Sequence, residues 1–574
     1  MSWPTLGHSR RLILSVGVSL LCCLVAGSAH AQGARVSIPN IGYFGGFGSF
    51  NDGDFKSAGQ QFRQSASGGF NSTEGRWIDS ICFHTMIGEC YYQMGDMENA
   101  AQQFSSAVEL FIIHRDWMLR AEFSPIEPEA NIKNPVTWGV SQRRTKLGHF
   151  PDHFQVMQGK TMAENALAAQ KGGVIVPQEL YTCYIGEIVR CTALAISRRA
   201  EILGPASQYD PITTQTVTAL QRRPGLPNHW SQCWISLQLG CAYAAANKPQ
   251  EAASELTNSL QAGGTYDHPL TCLGLLELGK LAFKQGKFDA AQTYFLEATY
   301  SAAYFERYDV MEEAFRYGSL THLVSGQPGV YAPLLKAGIA AKKIKTLHAS
   351  LMISLAEQLS TRGETAAAAA ALTQARGSLL GNEMMLGQTG ARFNYENAKV
   401  QFQGGNVGPG NSSLALAMAF QKAGSKRLFQ IGFIDKVVVD GELTERIGDL
   451  LYADILREPT AADWMVEPME TLTVLSTPHP LPYEHWLEIA LGRKELDKAL
   501  GIADRIRRHR FHSTLPLGGR LLALRWVLEA PKELLSPAAL LQRQDFSVKY
   551  PKYSELSKKA AAIKNDLEDR KSVV

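Results

Sequence analysis

Residues 81–110 read ICFHTMIGECYYQMGDMENAAQQFSSAVEL, and the placing of the small side chains in this stretch decides the fold. Gly88, Gly95, Ala100 and Ala107 stand at steps of seven, five and seven residues. Cys82, Ile87, Cys90 and Tyr91 share one helical face, and Ala100, Phe104 and Ala107 share another. Between the two faces Gly95 and Asp96 end one helix and begin the next. Glycine accepts the left-handed conformation of a helix terminus, and an aspartate caps the free N–H groups that follow. Gly88 falls inside a helix, where it costs ~1 kcal/mol relative to alanine. A second helix packed so closely that only a small residue fits offsets that cost.

The rhythm returns at Gly279, Gly286, Ala291 and Ala298, at Gly240, Asn247, Ala252 and Ser259, and at Ala356, Gly363, Ala368 and Ala375. Asn247 stands in for the turn glycine, as the residue next most tolerant of a left-handed backbone. Weaker copies run through Gly46, Gly53, Ala58 and Ser65, and through Leu487, Lys494, Ala499 and Ile506. In a repeat array each unit packs on its neighbours and the core grows lengthwise, so 574 residues need not divide into separate globular cores. The expected fold is all-α: an α-solenoid of stacked helix–turn–helix repeats with irregular insertions. Repeats are expected over 32–114 and 230–425, an irregular insertion with helices over 115–229, and a looser helical region with one degenerate copy over 426–574.

This skeleton resembles the tetratricopeptide repeat (TPR) family, whose unit is a 34-residue helix–turn–helix. The turn residues Gly95-Asp96 and Gly286-Lys287 fit that pattern. The chain departs from it in lacking a closing proline, in spacing Gly240 and Gly279 39 residues apart, and in the long interval after Arg115. The resemblance implies a superhelix whose concave groove, lined by first helices, holds an extended peptide or a partner helix. Carried onto this chain, it implies His84, Glu89, Gln93, Gln238, Lys280, Lys284, Glu357 and Arg362 as partner-binding residues. The function it implies is that of a non-enzymatic protein–protein interaction scaffold or adaptor.

Composition agrees with an ordinary folded chain, at 45% hydrophobic and 19% charged residues. A net charge of +3 argues against a nucleic-acid partner, which would call for a basic face. At the N-terminus Arg10 and Arg11 precede an apolar run over 12–27 and the sequence Ala29-His30-Ala31, the pattern of a cleavable signal peptide over 1–31. The run is short for crossing ~30 Å of hydrocarbon, so no stable membrane span is expected after cleavage. The expected location is the bacterial periplasm or cell envelope. Ser9-Arg10-Arg11 also resembles a twin-arginine signal, which leaves the export route open. Cysteines of the mature chain read as small buried residues at helix contacts. A bridge from Cys233 or Cys241 to Cys272 stays open in an oxidising compartment.

Sites of chemistry are absent from the pattern. The glycine-rich 42–48 lacks the Gly-Lys-Ser/Thr ending that grips phosphates. Cys82, His84 and Cys90 lack zinc-ligand spacing, and Pro151 separates His149 from His153. No Gly-x-Ser-x-Gly elbow occurs. Glu312 and Glu313 read as a solvated helix face, and the basic run over 505–510 as a helix C-terminus. No cofactor, metal or catalytic residue is therefore expected. The exception to the rhythm is 123–153, with four prolines and the cluster Trp138, Arg143, Arg144 and His149. As an alternative function, these residues would make an enzyme or enzyme subunit acting on an anionic or sugar-like envelope substrate. The plainer reading is a brace packed on the repeats. Helices are expected to resume over 154–169 and 178–203, with Gly186 as a small contact. Breaks are expected over 205–227 and 404–411, and 429–439 reads as either a strand or a buried helix.

Overall fold

A computed structural model describes residues 37–571, apart from 73–74, 130–132, 134, 380–382, 515–523, 525–526, 529 and 536. The expected signal peptide, 1–31, lies outside the described residues. Helices dominate, and they come in antiparallel pairs. Helix α1 (Ile41–Asp52) packs on α2 (Phe55–Ser67), and α3 (Asp79–Met94) on α4 (Met97–Ile113). After a short α5 (Met162–Gln170), the long α6 (Ile185–Leu203) rejoins the array and α7 (Pro211–Gln221) follows. The pairs then continue as α8 (Gln232–Ala245) with α9 (Pro249–Ser259) and α10 (Thr271–Lys284) with α11 (Phe288–Tyr304). Next come α12 (Tyr308–Val324) and the short α13 (Ala332–Ala340), then α14 (Lys345–Thr361) paired with α15 (Thr365–Leu379). The pair α16 (Gln388–Gln403) and α17 (Val407–Gly424) ends the main core.

Each pair is locked by a small residue beneath a large one. A β-carbon on Gly88 would meet the Phe104 ring at 2.8 Å, one on Gly279 the Phe295 ring at 2.5 Å, and one on Gly46 the Phe62 ring at 2.5 Å. In the Gly240 unit the large partner is Leu256, at 2.6 Å. At the turns Gly95 has φ +85°, and Asp96 accepts from the backbone N–H of Asn99 at 3.2 Å. Asn247 holds φ +55°, the conformation for which it replaces glycine.

The pair α16–α17 is a further copy within 404–411, where the sequence reads as a break. Ala398, Gly405, Gly410 and Ala417 carry the same seven, five, seven steps. Here the lock is mirrored: Phe402 of the first helix covers Gly410 of the second, 2.6 Å from where its β-carbon would stand. The glycines that read as a loop are the packing surface and turn of a repeat.

A second core continues through α18 (Lys426–Val439), α19 (Glu445–Ile455), α20 (Ala461–Val466) and α21 (Pro468–Ser476). It is completed by α22 (Pro480–Gly492) and α23 (Leu496–Ser513), the pair built on the degenerate copy, where Lys494 takes the left-handed turn at φ +61° and Ala499 is buried. Helices α24 (Pro537–Lys549) and α25 (Pro551–Lys571) close the described chain. The segment 429–439 is thus helical, with Ile431 and Ile434 facing the core.

The interval after Arg115 departs from expectation. Phe154–Gln158 is a strand rather than the start of a helix, because Phe154 and Val156 alternate inward with period two. It pairs antiparallel with Glu179–Cys183, which in turn pairs parallel with Ser37–Ile38. The expected break over 205–227 contains α7. Gly186 is no packing contact, since nothing lies within 4 Å of its β-carbon position. The seven described cysteines are all free and buried, so the bridge considered for Cys272 is not formed.

Candidate functional site

The solenoid curls tightly enough to close on itself. Its later repeats return to the first ones: Lys345 pairs with Asp52 at 3.1 Å, and Thr346 donates to the Asn51 carbonyl at 3.0 Å. Gln388 donates to the Tyr92 carbonyl at 2.7 Å, and Phe420 presses on Gly95. Lys426 and Gln430 reach Glu201 and its carbonyl at 2.9 and 3.0 Å. The concave face, left open in a long superhelix, here becomes the wall of a central cavity of about 240 Å³. That is a little under the ~300–1,000 Å³ of a typical small-molecule site and has room for one or two side chains.

The wall is ionic. Arg198 on α6 sits at its hub: it donates to Glu89 at 2.8 Å, to Glu201 at 3.0 Å, and with both terminal nitrogens to Glu313 at 3.1 and 2.8 Å. Lys280 joins Glu277 at 2.9 Å and Glu313 at 2.8 Å. Lys399 joins Glu396 at 2.9 Å. The last two pairs are equivalent, because Glu277 and Lys280 flank Gly279 as Glu396 and Lys399 flank Ala398. Positions two before and one after the first small residue thus carry the same ion pair in these two repeats.

Burial of these charges would be costly without partners, and the pairing shifts their titration. Burial alone would raise Glu313, but the Arg198 and Lys280 charges outweigh it and hold the carboxyl well below its usual range. Burial would lower Lys280, yet Glu277 and Glu313 keep it above its ordinary value. Glu89 goes the other way: burial outweighs Arg198 and raises it. A second buried knot lies beside the cavity, where Arg190 donates to Glu187 at 2.8 and 2.7 Å and to Asp309 at 3.0 Å. Tyr43 donates to the same Glu187 at 2.5 Å.

Of the residues implied by the sequence resemblance, Glu89, Gln93 and Glu357 line the cavity and Lys280 stands directly behind its wall. Four lie elsewhere. His84 faces its own second helix, with Nδ1 2.8 Å from the Gln103 side chain. Gln238 is 1% exposed and its amide donates to the Trp234 carbonyl. Lys284 points to solvent. Arg362 donates to the carbonyls of Gln327 and Gly329 between repeats. The cavity residues not anticipated from sequence include Arg198, Glu201, Arg316, Arg392 and Lys426. Glu312 and Glu313 are no solvated face: Glu313 is 4% exposed and Glu312 accepts from Ser350.

The cluster in the insertion is placed outside the cavity. Trp138 donates to Thr299 at 3.0 Å and packs on Phe315, Ser141 and the Gln142 N–H bind Glu297 at 2.6 and 2.7 Å, and Arg143 pairs with Asp267 at 2.7 Å. These contacts tie the insertion across Asp267, α11 and α12 as a brace, while Arg144 and His149 remain exposed. Among the described residues no group of three potential ligands stands together to hold a metal ion, and no helix is long and apolar enough to cross a membrane.

This architecture defines an α-solenoid protein built from helix–turn–helix repeats. A profile described as Tetratricopeptide repeat matches residues 83–111 and 274–304, which are the α3–α4 and α10–α11 pairs, so these two pairs are similar to tetratricopeptide repeats. No curated protein matches the sequence. Among solved structures the chain is similar to "Crystal Structure of the Apo Form of RapI", at 13% identity and a TM-score of 0.27, covering 67% of this chain and 97% of that one.

Proposed function

We propose that this protein is a non-enzymatic binding scaffold that takes part of a peptide or protein partner into its central cavity. Tetratricopeptide repeats generally mediate protein–protein interaction, and the observation that carries the reading here is the closed ring of repeats. Closure concentrates residues from α3, α6, α12, α14 and α16 around one cavity. A solenoid that served only as a spacer would not need to gather so many charges around one cavity. The apparent leader over 1–31 supports a place in the bacterial cell envelope.

Thr389 tests the reading because it lines the cavity and its side chain makes no hydrogen bond to the described residues. Thr389→Trp puts an indole into the space without removing a side-chain hydrogen bond. Envelope extract passed over the mature chain and over this variant should give a partner that the wild type retains and the variant loses, with both chains melting alike. An identical set of captured proteins would refute the cavity as the binding site.

A further inference from the structure

Resting on the cavity reading above, we infer that its guest carries a positive charge on an aliphatic stem: an alkylammonium or guanidinium group, as in a lysine or arginine side chain of the partner or a free polyamine. The wall holds eight carboxylates, from Glu89, Glu201, Asp309, Glu312, Glu357, Glu396, Glu467 and Glu470, against the four cations Arg198, Arg316, Arg392 and Lys426. Lys399 and Arg190, set behind the wall, neutralise Glu396 and Asp309. The remaining surplus is negative and includes Glu357, which feels the Arg392 and Lys399 charges without pairing directly with either. Its carboxylate has no direct ion pair or hydrogen bond among the described residues, although it faces the cavity.

A second, independent feature points to a donor-bearing guest. The side chain of Gln421 on α17 lies on the cavity wall at 4% exposure, and its amide oxygen has no hydrogen-bond partner among the described residues. A buried acceptor left unmade costs ~1–3 kcal/mol, and a guest with several N–H donors would remove that cost. The apolar part of the wall suits the stem and the charge together. Phe50, Phe55, Phe420 and Tyr308 line the space, and aromatic faces attract cations, as the rings of Tyr92 and Tyr317 already do for Arg198 and Arg316. Burial is the main cause that raises Glu396 and Glu470; Lys399 and Ser425 oppose it, and the Glu357 and Glu467 charges add to it.

Calorimetric titration of the mature chain with triarginine, trilysine, triglycine, triglutamate and spermidine tests the inference. The cationic tripeptides or spermidine should bind, with triglycine and triglutamate at least tenfold weaker. Preference for the tripeptides over spermidine assigns the charge to a partner's side chain, and the reverse assigns it to a free polyamine. Glu357→Gln, which breaks no existing contact, should weaken the cationic ligand about tenfold, and Gln421→Leu should weaken it severalfold, with unchanged melting. Triglutamate binding as well as triarginine, and lost in Thr389→Trp, would overturn the charge inference while sparing the cavity reading. If no ligand binds the cavity but the partner captured from extract is still lost in Thr389→Trp, the inference again fails and the reading stands. Partner capture insensitive to Thr389→Trp would overturn both.

Discussion

Replacing Gly279 by alanine asks whether the small-residue rhythm is a packing device. Two terms oppose each other. Alanine in a helix interior gains ~1 kcal/mol over glycine. Against it, the new methyl would stand 2.5, 2.6 and 3.0 Å from three atoms of the Phe295 ring, itself fully buried. Overpacking of a filled core costs ~1–3 kcal/mol, and contacts this short on a ring that cannot swing aside belong at the upper end. The net expectation is a loss of about 1–2 kcal/mol in the α10–α11 unit. Gly432→Ala on α18 is the matched control, since nothing lies within 4 Å of its β-carbon position and only the propensity gain remains. Long arrays need not unfold as one unit, so the assay is local: hydrogen exchange over 271–304 read by mass spectrometry. Exchange there should accelerate ~5–30-fold in Gly279→Ala, while Gly432→Ala slows exchange over 426–439. Equal or slower exchange in Gly279→Ala would refute the packing argument.

Arg198→Met would leave Glu89 and Glu313 buried without their main partner, and removing one member of a buried ion pair costs ~3–5 kcal/mol. Urea unfolding of the N-terminal core should show that loss, and a change under ~1 kcal/mol would mean the network is no stronger than a surface pair. Glu187 is buried, but Arg190, Arg307 and the Tyr43 hydroxyl hold it at about 2, below its unfolded value. Its contribution, on the order of 3 kcal/mol, is therefore present above pH ~4.3 and lost as the pH falls towards 2. Tyr43→Phe removes one of the groups that hold it down and should move the acid unfolding midpoint upward; an unchanged midpoint in an acid titration followed by circular dichroism would contradict this. Trp138→Ala should cost ~2 kcal/mol of local stability, seen as faster exchange over 135–149 with α10 and α11 unaffected. Loss of exchange protection throughout those helices would show that the insertion is part of the core and no brace.

The repeats were legible because a helix contact that admits only small residues leaves a periodic mark, and Gly95, Asn247 and Lys494 mark its turns. The α16–α17 copy escaped because Gly404, Gly405, Gly408 and Gly410 read as a loop; the cue was the spacing of Ala398 and Ala417 around them. Of the eight residues implied by the repeat resemblance, Glu89, Gln93 and Glu357 line the candidate wall and Lys280 stands behind it. Arg198, Arg392 and Lys426 were not anticipated, because they meet only when the array closes, and closure rests on contacts such as Gln388 with Tyr92 that are nearly 300 residues apart. A charge within an otherwise apolar helical face, as at Glu187, Arg190 and Arg198, was the available signal for a buried network. The strands of the interval were hidden for a related reason. Segments of two to five residues take their register from distant partners, as Ser37 does from Thr182.

Hydrogen exchange of the protein, alone and with its captured partner bound, tests the central claim most directly. The claim predicts new protection at the cavity wall, over 86–97, 308–320 and 388–396, with the outer second helices unchanged. Protection confined to the second helices or to the brace over 135–149 would contradict it.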